Sequence, residues 1–153
     1  MTPYRHTQVG ALNLLLLGSP ALACLLVFGL STNMGAWSIL VLGLVLLFVG
    51  LAFCFSSLTI EVDAERVGLS FGPGWIRKSW PIENCTAARQ IRTRLIDGWG
   101  IKLTSQGWLY SISMPHAVLV RFADGKAVQL GTDEPEALLA TLLEAGLDLE
   151  DAD

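Results

Sequence analysis

VGALNLLLLGSPALACLLVFGL, from Val9 to Leu30, and AWSILVLGLVLLFVGLAFCF, from Ala36 to Phe55, contain no Asp, Glu, Lys or Arg. At a rise of ~1.5 Å per residue, each run as a helix is about as long as the roughly 30 Å hydrocarbon core of a bilayer is thick. The expectation is a membrane protein that begins with two transmembrane helices. Burying both runs in a soluble core is the rival reading, but a chain of 153 residues with a mean hydropathy of +0.53 has too little other surface to cover two helices that are apolar all round. A cleaved signal is the other rival, because Ala21-Leu22-Ala23-Cys24 resembles a signal-peptidase site and a degenerate lipobox. Cleavage occurs at the polar end of an apolar segment, whereas Leu25 to Leu30 continue this one, and Ala21 stands where a lipobox carries Leu.

Ser31-Thr32-Asn33-Met34-Gly35 is an uncharged connection of a length that joins antiparallel neighbours, so the two runs read as a transmembrane hairpin. Arg5 precedes the first helix, Arg66, Arg77 and Lys78 follow the second, and the connection has no basic residue. By the positive-inside rule, the N-terminus and the C-terminal domain are both expected in the cytoplasm. Ser19-xxx-Ala23 and Gly50-xxx-Cys54 offer small faces for packing the hairpin on itself. No ionisable residue marks a polar path through the helices, which argues against a pore or transport site.

From Leu58 the pattern changes to a period of two. Leu58, Ile60 and Val62 alternate with Thr59 and Glu61, and after a turn at Asp63-Ala64-Glu65-Arg66, Val67, Leu69 and Phe71 alternate with Gly68 and Ser70. Further strands are expected at Ile76 to Trp80, Cys85 to Ile91, Gly100 to Leu103 and Trp108 to Ile112, then a hairpin of Ala117 to Phe122 with Lys126 to Leu130 about Asp124-Gly125. Asp133 with Glu136 reads as a capping box, Pro135 suits a first helical turn, Leu138, Leu139, Leu142 and Leu143 form one apolar stripe, and Gly146 is placed to stop the helix. About seven short strands and one C-terminal helix is the order of a mainly-β, pleckstrin-homology-like (PH-like) barrel whose helix plugs one end. The expected division is a hairpin over 1–56, a PH-like domain over 57–146 and an acidic tail over 147–153.

Four segments sharpen this pattern: Gly98-Trp99-Gly100-Ile101, Gly107-Trp108-Leu109-Tyr110, Gly131-Thr132-Asp133-Glu134-Pro135 and, more weakly, Phe71-Gly72-Pro73-Gly74-Trp75. Over nearly its whole length the chain resembles small bacterial membrane proteins in which a transmembrane hairpin is followed by a PH-like domain. The resemblance implies a binding or scaffolding module at the inner face of the cytoplasmic membrane and brings no catalytic residues with it.

The chemistry read from the residues points the same way. His6 and His116 are far apart, and Cys24, Cys54 and Cys85 have no metal-like spacing, so neither a metal site nor a disulfide framework is expected. Gly72-Pro73-Gly74 and Gly98-Trp99-Gly100 lack the third glycine and the strand-to-helix setting of a phosphate loop. No spacing couples a nucleophile to a base, so the chain is expected to be no enzyme and to use no cofactor.

Charge is more informative. Arg77 to Lys102 holds six basic residues against Glu83 and Asp97, whereas from Asp133 onward there are eight acids and no base. With only Ser56 and Ser57 between Phe55 and the first strand, the tether spans about 7–10 Å, which keeps the domain against the headgroups. Arg77, Lys78, Arg92 and Arg94, with Trp75 and Trp99 beside turn glycines, are the candidate membrane or partner contacts. Ordinary solvated strand faces are an equally simple account of the basic residues. Trp80 and Trp108 are expected in the core. The acidic Asp63-Ala64-Glu65-Arg66 turn lacks the basic first loop used to bind inositol phosphates, and an acidic chain without a basic stripe excludes nucleic acid as a partner. Two functions remain: a membrane-tethered module that docks a membrane-protein or peptide partner or anionic lipid headgroups, and an accessory subunit of a transporter or other integral assembly.

Overall fold

A computed structural model describes residues 3–30, 35–93, 100–112 and 115–150. Two long helices, α1 (Ala11–Leu30) and α2 (Ala36–Cys54), pack against each other and are followed by a β-rich region. Both are long and apolar enough to cross a membrane. Their large side chains point outward almost everywhere; Asn13, Ala21 and Val45 are the buried positions of the pair among the described residues. Ser19 and Ala23 are exposed, so the small face of α1 turns away from α2 rather than packing the hairpin. The expected connection over Ser31 to Met34 lies outside the described residues.

The β region holds ten strands among the described residues, in two sheets. The first sheet has the order β1 (Tyr4–Val9), β2 (Ser57–Val62), β3 (Arg66–Phe71), β4 (Ile76–Pro81), all antiparallel. Its first strand precedes α1. Val9 pairs with Ser57 and Tyr4 with Val62, and the Gly10 N–H donates to the Ser56 carbonyl at 2.8 Å. The helical hairpin is therefore inserted into the turn of a β-hairpin, and residues 4–9, which the sequence division places with the hairpin, belong to the sheet. The buried Asn13 donates from Nδ2 to the Phe55 carbonyl at 3.4 Å, a further tie at this junction.

The second sheet has the order β10 (Asp148–Leu149), β5 (Cys85–Arg92), β8 (His116–Phe122), β9 (Ala127–Gly131), β7 (Gly107–Ser111), β6 (Gly100–Thr104). β10 and β5 run parallel, as do β7 and β9. Most of the expected tail is thus bound: two of its residues form a strand, and Glu150 accepts a hydrogen bond from Arg121 Nε at 2.7 Å. The core lies between the sheets. Leu58, Ile60, Val62, Val67, Leu69 and Phe71 face Val118, Val120, Val128 and Leu130, and α3 (Pro135–Glu144) adds Leu138 and Leu142, both fully buried.

α3 starts at Pro135 as expected, but not through a capping box. Thr132 Oγ1 accepts the Glu134 N–H at 3.1 Å, and Asp133 instead accepts from His6 Nε2 at 2.7 Å, which ties β1 to the start of the helix. Its end is a Schellman motif, with the Leu147 N–H on the Leu142 carbonyl and the Gly146 N–H on the Leu143 carbonyl.

The sheets do not close into the expected barrel. The first ends at β4 and the second at β6, and among the described residues no ladder joins them. After Pro81 a 3-10 turn over Ile82–Asn84 carries the chain to β5, on the side of the second sheet away from β6. Two strand edges are left facing an open seam.

Candidate functional site

Cross-strand register shows what the seam exposes. One row of the second sheet runs Leu103, Trp108, Val128, Val120, Ala88, and the next on the same face runs Ile101, Tyr110, Leu130, Val118. Val120, Val128, Val118 and Leu130 are core residues, so Leu103, Trp108 and Ile101 lie on the core face of the sheet. Yet Leu103 is 63 % exposed, Trp108 48 % and Ile101 36 %, because the first sheet stops at β4 and does not reach them. Trp108 therefore departs from its expected place in the core: it lies on the right face of a sheet that extends past its cover.

The wall opposite is aromatic. Trp80 is partly buried against the core and packs edge-on to Tyr110 at 6.0 Å between ring centroids and tilted to Phe122 at 5.9 Å. Burial pushes the Tyr110 phenol above its usual pKa, so at neutral pH it keeps its proton. The resulting groove, of about 1060 Å³, runs from Ile101 to the β8–β9 turn. Lys126 on its rim is held by Asp124 at 2.7 Å, and Arg121 by Glu150. Lys78, which faces the seam from the core-side row of β4, makes no ion pair with a described residue.

The residues singled out in the sequence fall into three places. Trp75 and Arg77 come together at the β3–β4 turn beneath the end of α2: the Trp75 ring meets Phe53 edge-on at 5.9 Å, and a Cβ on Gly72, where φ is +54°, would stand 2.7 Å from the Phe53 and Cys54 carbonyl oxygens. Lys78, one residue on, points to the opposite face of the same strand and into the seam. Arg92 ends β5 in register with His116, toward the edge of the second sheet remote from β6. Arg94 and Trp99 lie outside the described residues. The described candidates thus do not form one basic patch.

Among the described residues no group of three or more His, Cys, Asp or Glu side chains could hold a metal ion. Sequence reasoning missed Ile101 and Leu103, because alternation in a strand says which face a residue occupies and not how far the facing sheet extends. No protein-family model and no curated protein matches the chain.

Proposed function

We propose that the protein is a membrane-anchored docking module of PH-like type, held by its hairpin at the cytoplasmic face of the inner membrane, and that the seam between β4 and β6 receives an extended segment of a membrane-protein partner. The uncovered core-face row of Ile101, Leu103 and Trp108 carries this reading. The exposed, uncharged surfaces of α1 and α2 and the basic residues on the domain side support the anchoring and its orientation. An extended segment fits because β4 and β6 each present an edge without a ladder partner among the described residues along an apolar trough, the arrangement in which a strand gains main-chain hydrogen bonds and places alternate side chains in pockets. Lys78, which makes no ion pair with a described residue, selects a segment that carries a carboxylate.

Covering a large apolar side chain contributes ~1.5–3 kcal/mol, so Leu103→Thr with Trp108→Thr, a neutral cross-strand pair, should reduce partner affinity by more than about a hundredfold. The check is purification of the full chain from membranes in mild detergent. A stoichiometric partner is expected with the parent and not with the double variant, at equal melting temperature. A partner retained by the double variant contradicts docking in the seam and places the contact elsewhere, as for an accessory subunit bound through its helices.

A further inference from the structure

We propose that the outer face of the first sheet binds a phosphomonoester at the foot of the hairpin, the group that a phosphatidic-acid headgroup presents at a bilayer surface and that inorganic phosphate presents in solution. This site lies on the opposite face of β4 from the seam and shares with the proposed function only the placement of the hairpin in a bilayer.

The register builds the site. On the face of the sheet away from the core, one row reads Arg5, Glu61, Gly68, Ser79 and the next reads Thr7, Thr59, Ser70, Arg77. Gly68, Ser70 and Ser79 project almost nothing, so a polar basin of about 510 Å³ opens over β3 and β4, bounded at one end by the Gly72–Gly74 turn.

Four cations line it, Arg5, Arg66, Arg77 and, from the sheet edge, Lys78, and they differ in what occupies them. Arg5 is held by Glu61 at 3.1 Å and Arg66 by Asp63 at 3.3 Å, which also neutralises the one carboxylate lining the basin. Arg77 has no ion pair with a described residue. Its guanidinium lies folded over the backbone of Gly74, where φ is +92° and an added Cβ would fall within 2.9 Å of three guanidinium atoms. Glycine at this position therefore leaves room for the guanidinium over the turn. Thr7 and Thr59 satisfy each other at 2.8 Å. The hydroxyls of Ser70, beside Arg77 in its row, and of Ser79, two residues along β4, bond to no described residue.

The Arg77 fork can take two oxygens and the Ser70 hydroxyl, its cross-strand neighbour, a third, which matches the three terminal oxygens of a phosphomonoester better than the two of a diester. The position matches a headgroup: the turn that ends the basin packs under the last carbonyls of α2, and Trp75, 69 % exposed, meets Phe53 edge-on at that level. A Trp there is at the depth that indole rings favour in a bilayer interface.

The test uses the full chain in nanodiscs of equal parts phosphatidylcholine, phosphatidylserine and phosphatidic acid, with retained lipid counted by native mass spectrometry. In parallel, the ³¹P line width of inorganic phosphate is measured with the chain in pure phosphatidylcholine discs. The expected result is preference for phosphatidic acid over phosphatidylserine of about tenfold, as for loss of a charge-assisted bidentate contact, falling to parity in Arg77→Gln and in Ser70→Val. Arg77→Lys keeps the charge and loses the fork, so it should recover only part of the preference. Phosphate broadening that both Arg77→Gln and Ser70→Val abolish, without lipid preference, identifies soluble phosphate as the ligand of the same site and does not depend on the bilayer. Lipid preference unchanged in Arg77→Gln, or neither preference nor broadening in the parent, overturns the proposal. Both substituted side chains lie at the surface of the sheet, so equal melting temperatures show that a loss is not unfolding.

Discussion

Leu142→Asp is expected to abolish the cooperative melting of the β region. Leu142 is fully buried on the face of α3 that enters the core between the sheets. Truncating such a side chain costs about 2–5 kcal/mol through lost transfer energy and a residual cavity, and an unpaired carboxylate in the same place costs several kcal/mol more. Domains of this size are stable by about 5–15 kcal/mol, so the two terms together consume most of that margin. Near-ultraviolet circular dichroism of the full chain in detergent would follow the loss through the tryptophans of the β region. Ala140→Asp, exposed on the same helix, should melt within about 0.5 kcal/mol of the parent. If the two variants melt alike, α3 is not docked as described.

The second large effect concerns the insertion of the hairpin into the first sheet. Because Val9 and Ser57 are cross-strand partners, residues 10–56 can be replaced by Asn-Gly, whose positive-φ preference suits a two-residue turn between twisted strands. The chain so joined is expected to be soluble and to melt cooperatively without detergent. A chain that begins at Ser57 should be far less stable. It loses all six residue pairs of β1 with β2, the Gln8 hydrogen bond to the Gly131 carbonyl and the His6 contacts with Asp133 and Glu134. At about 0.5–1.5 kcal/mol net for each ladder hydrogen bond, the difference amounts to several kcal/mol. At ~4–8 °C per kcal/mol for a domain of this size, that is a shift of more than about 10 °C. Equal melting of the two chains would mean that β1 is not an integral strand.

These two experiments bracket what could be read from the residues. The helices, eight of the ten described strands and α3 follow from period alone, because Leu58–Ile60–Val62 or Leu138–Leu142 present one apolar face to one core. β1 did not announce itself because its inward positions are Tyr4, His6 and Gln8. Two of these are polar, satisfied by partners more than a hundred residues away, and a polar inward face erases the alternation that marks a strand. β10 is only two residues long and is fixed by Glu150 on Arg121, a tertiary ion pair with no local signature. The open seam was illegible for a different reason. Ile101, Leu103 and Trp108 have the residue types of a buried row, and their exposure depends on where the first sheet ends. Trp75 stands out in the sequence through the turn glycines beside it and Arg77 through the local excess of basic residues, but that Arg77 and Lys78 serve opposite faces becomes visible only with the register of β4 against β3.

Whether the seam is occupied in the membrane can be measured by thiol labelling of Leu103→Cys. The native cysteines interfere little: Cys24 and Cys54 lie in the apolar helices, and burial pushes the Cys85 thiol up to about 11, leaving almost no reactive thiolate at neutral pH. A membrane-impermeant maleimide is applied to inverted inner-membrane vesicles and to the purified chain reconstituted in lipid extracted from the same membranes. Ala64→Cys, on the exposed β2–β3 turn, serves as the reference. The account predicts slow labelling at position 103 in native vesicles, fast labelling after reconstitution, and equal labelling at position 64 in both. Fast labelling at 103 in native vesicles, or protection that persists in the reconstituted chain without its partner, would contradict a protein segment docked in the seam.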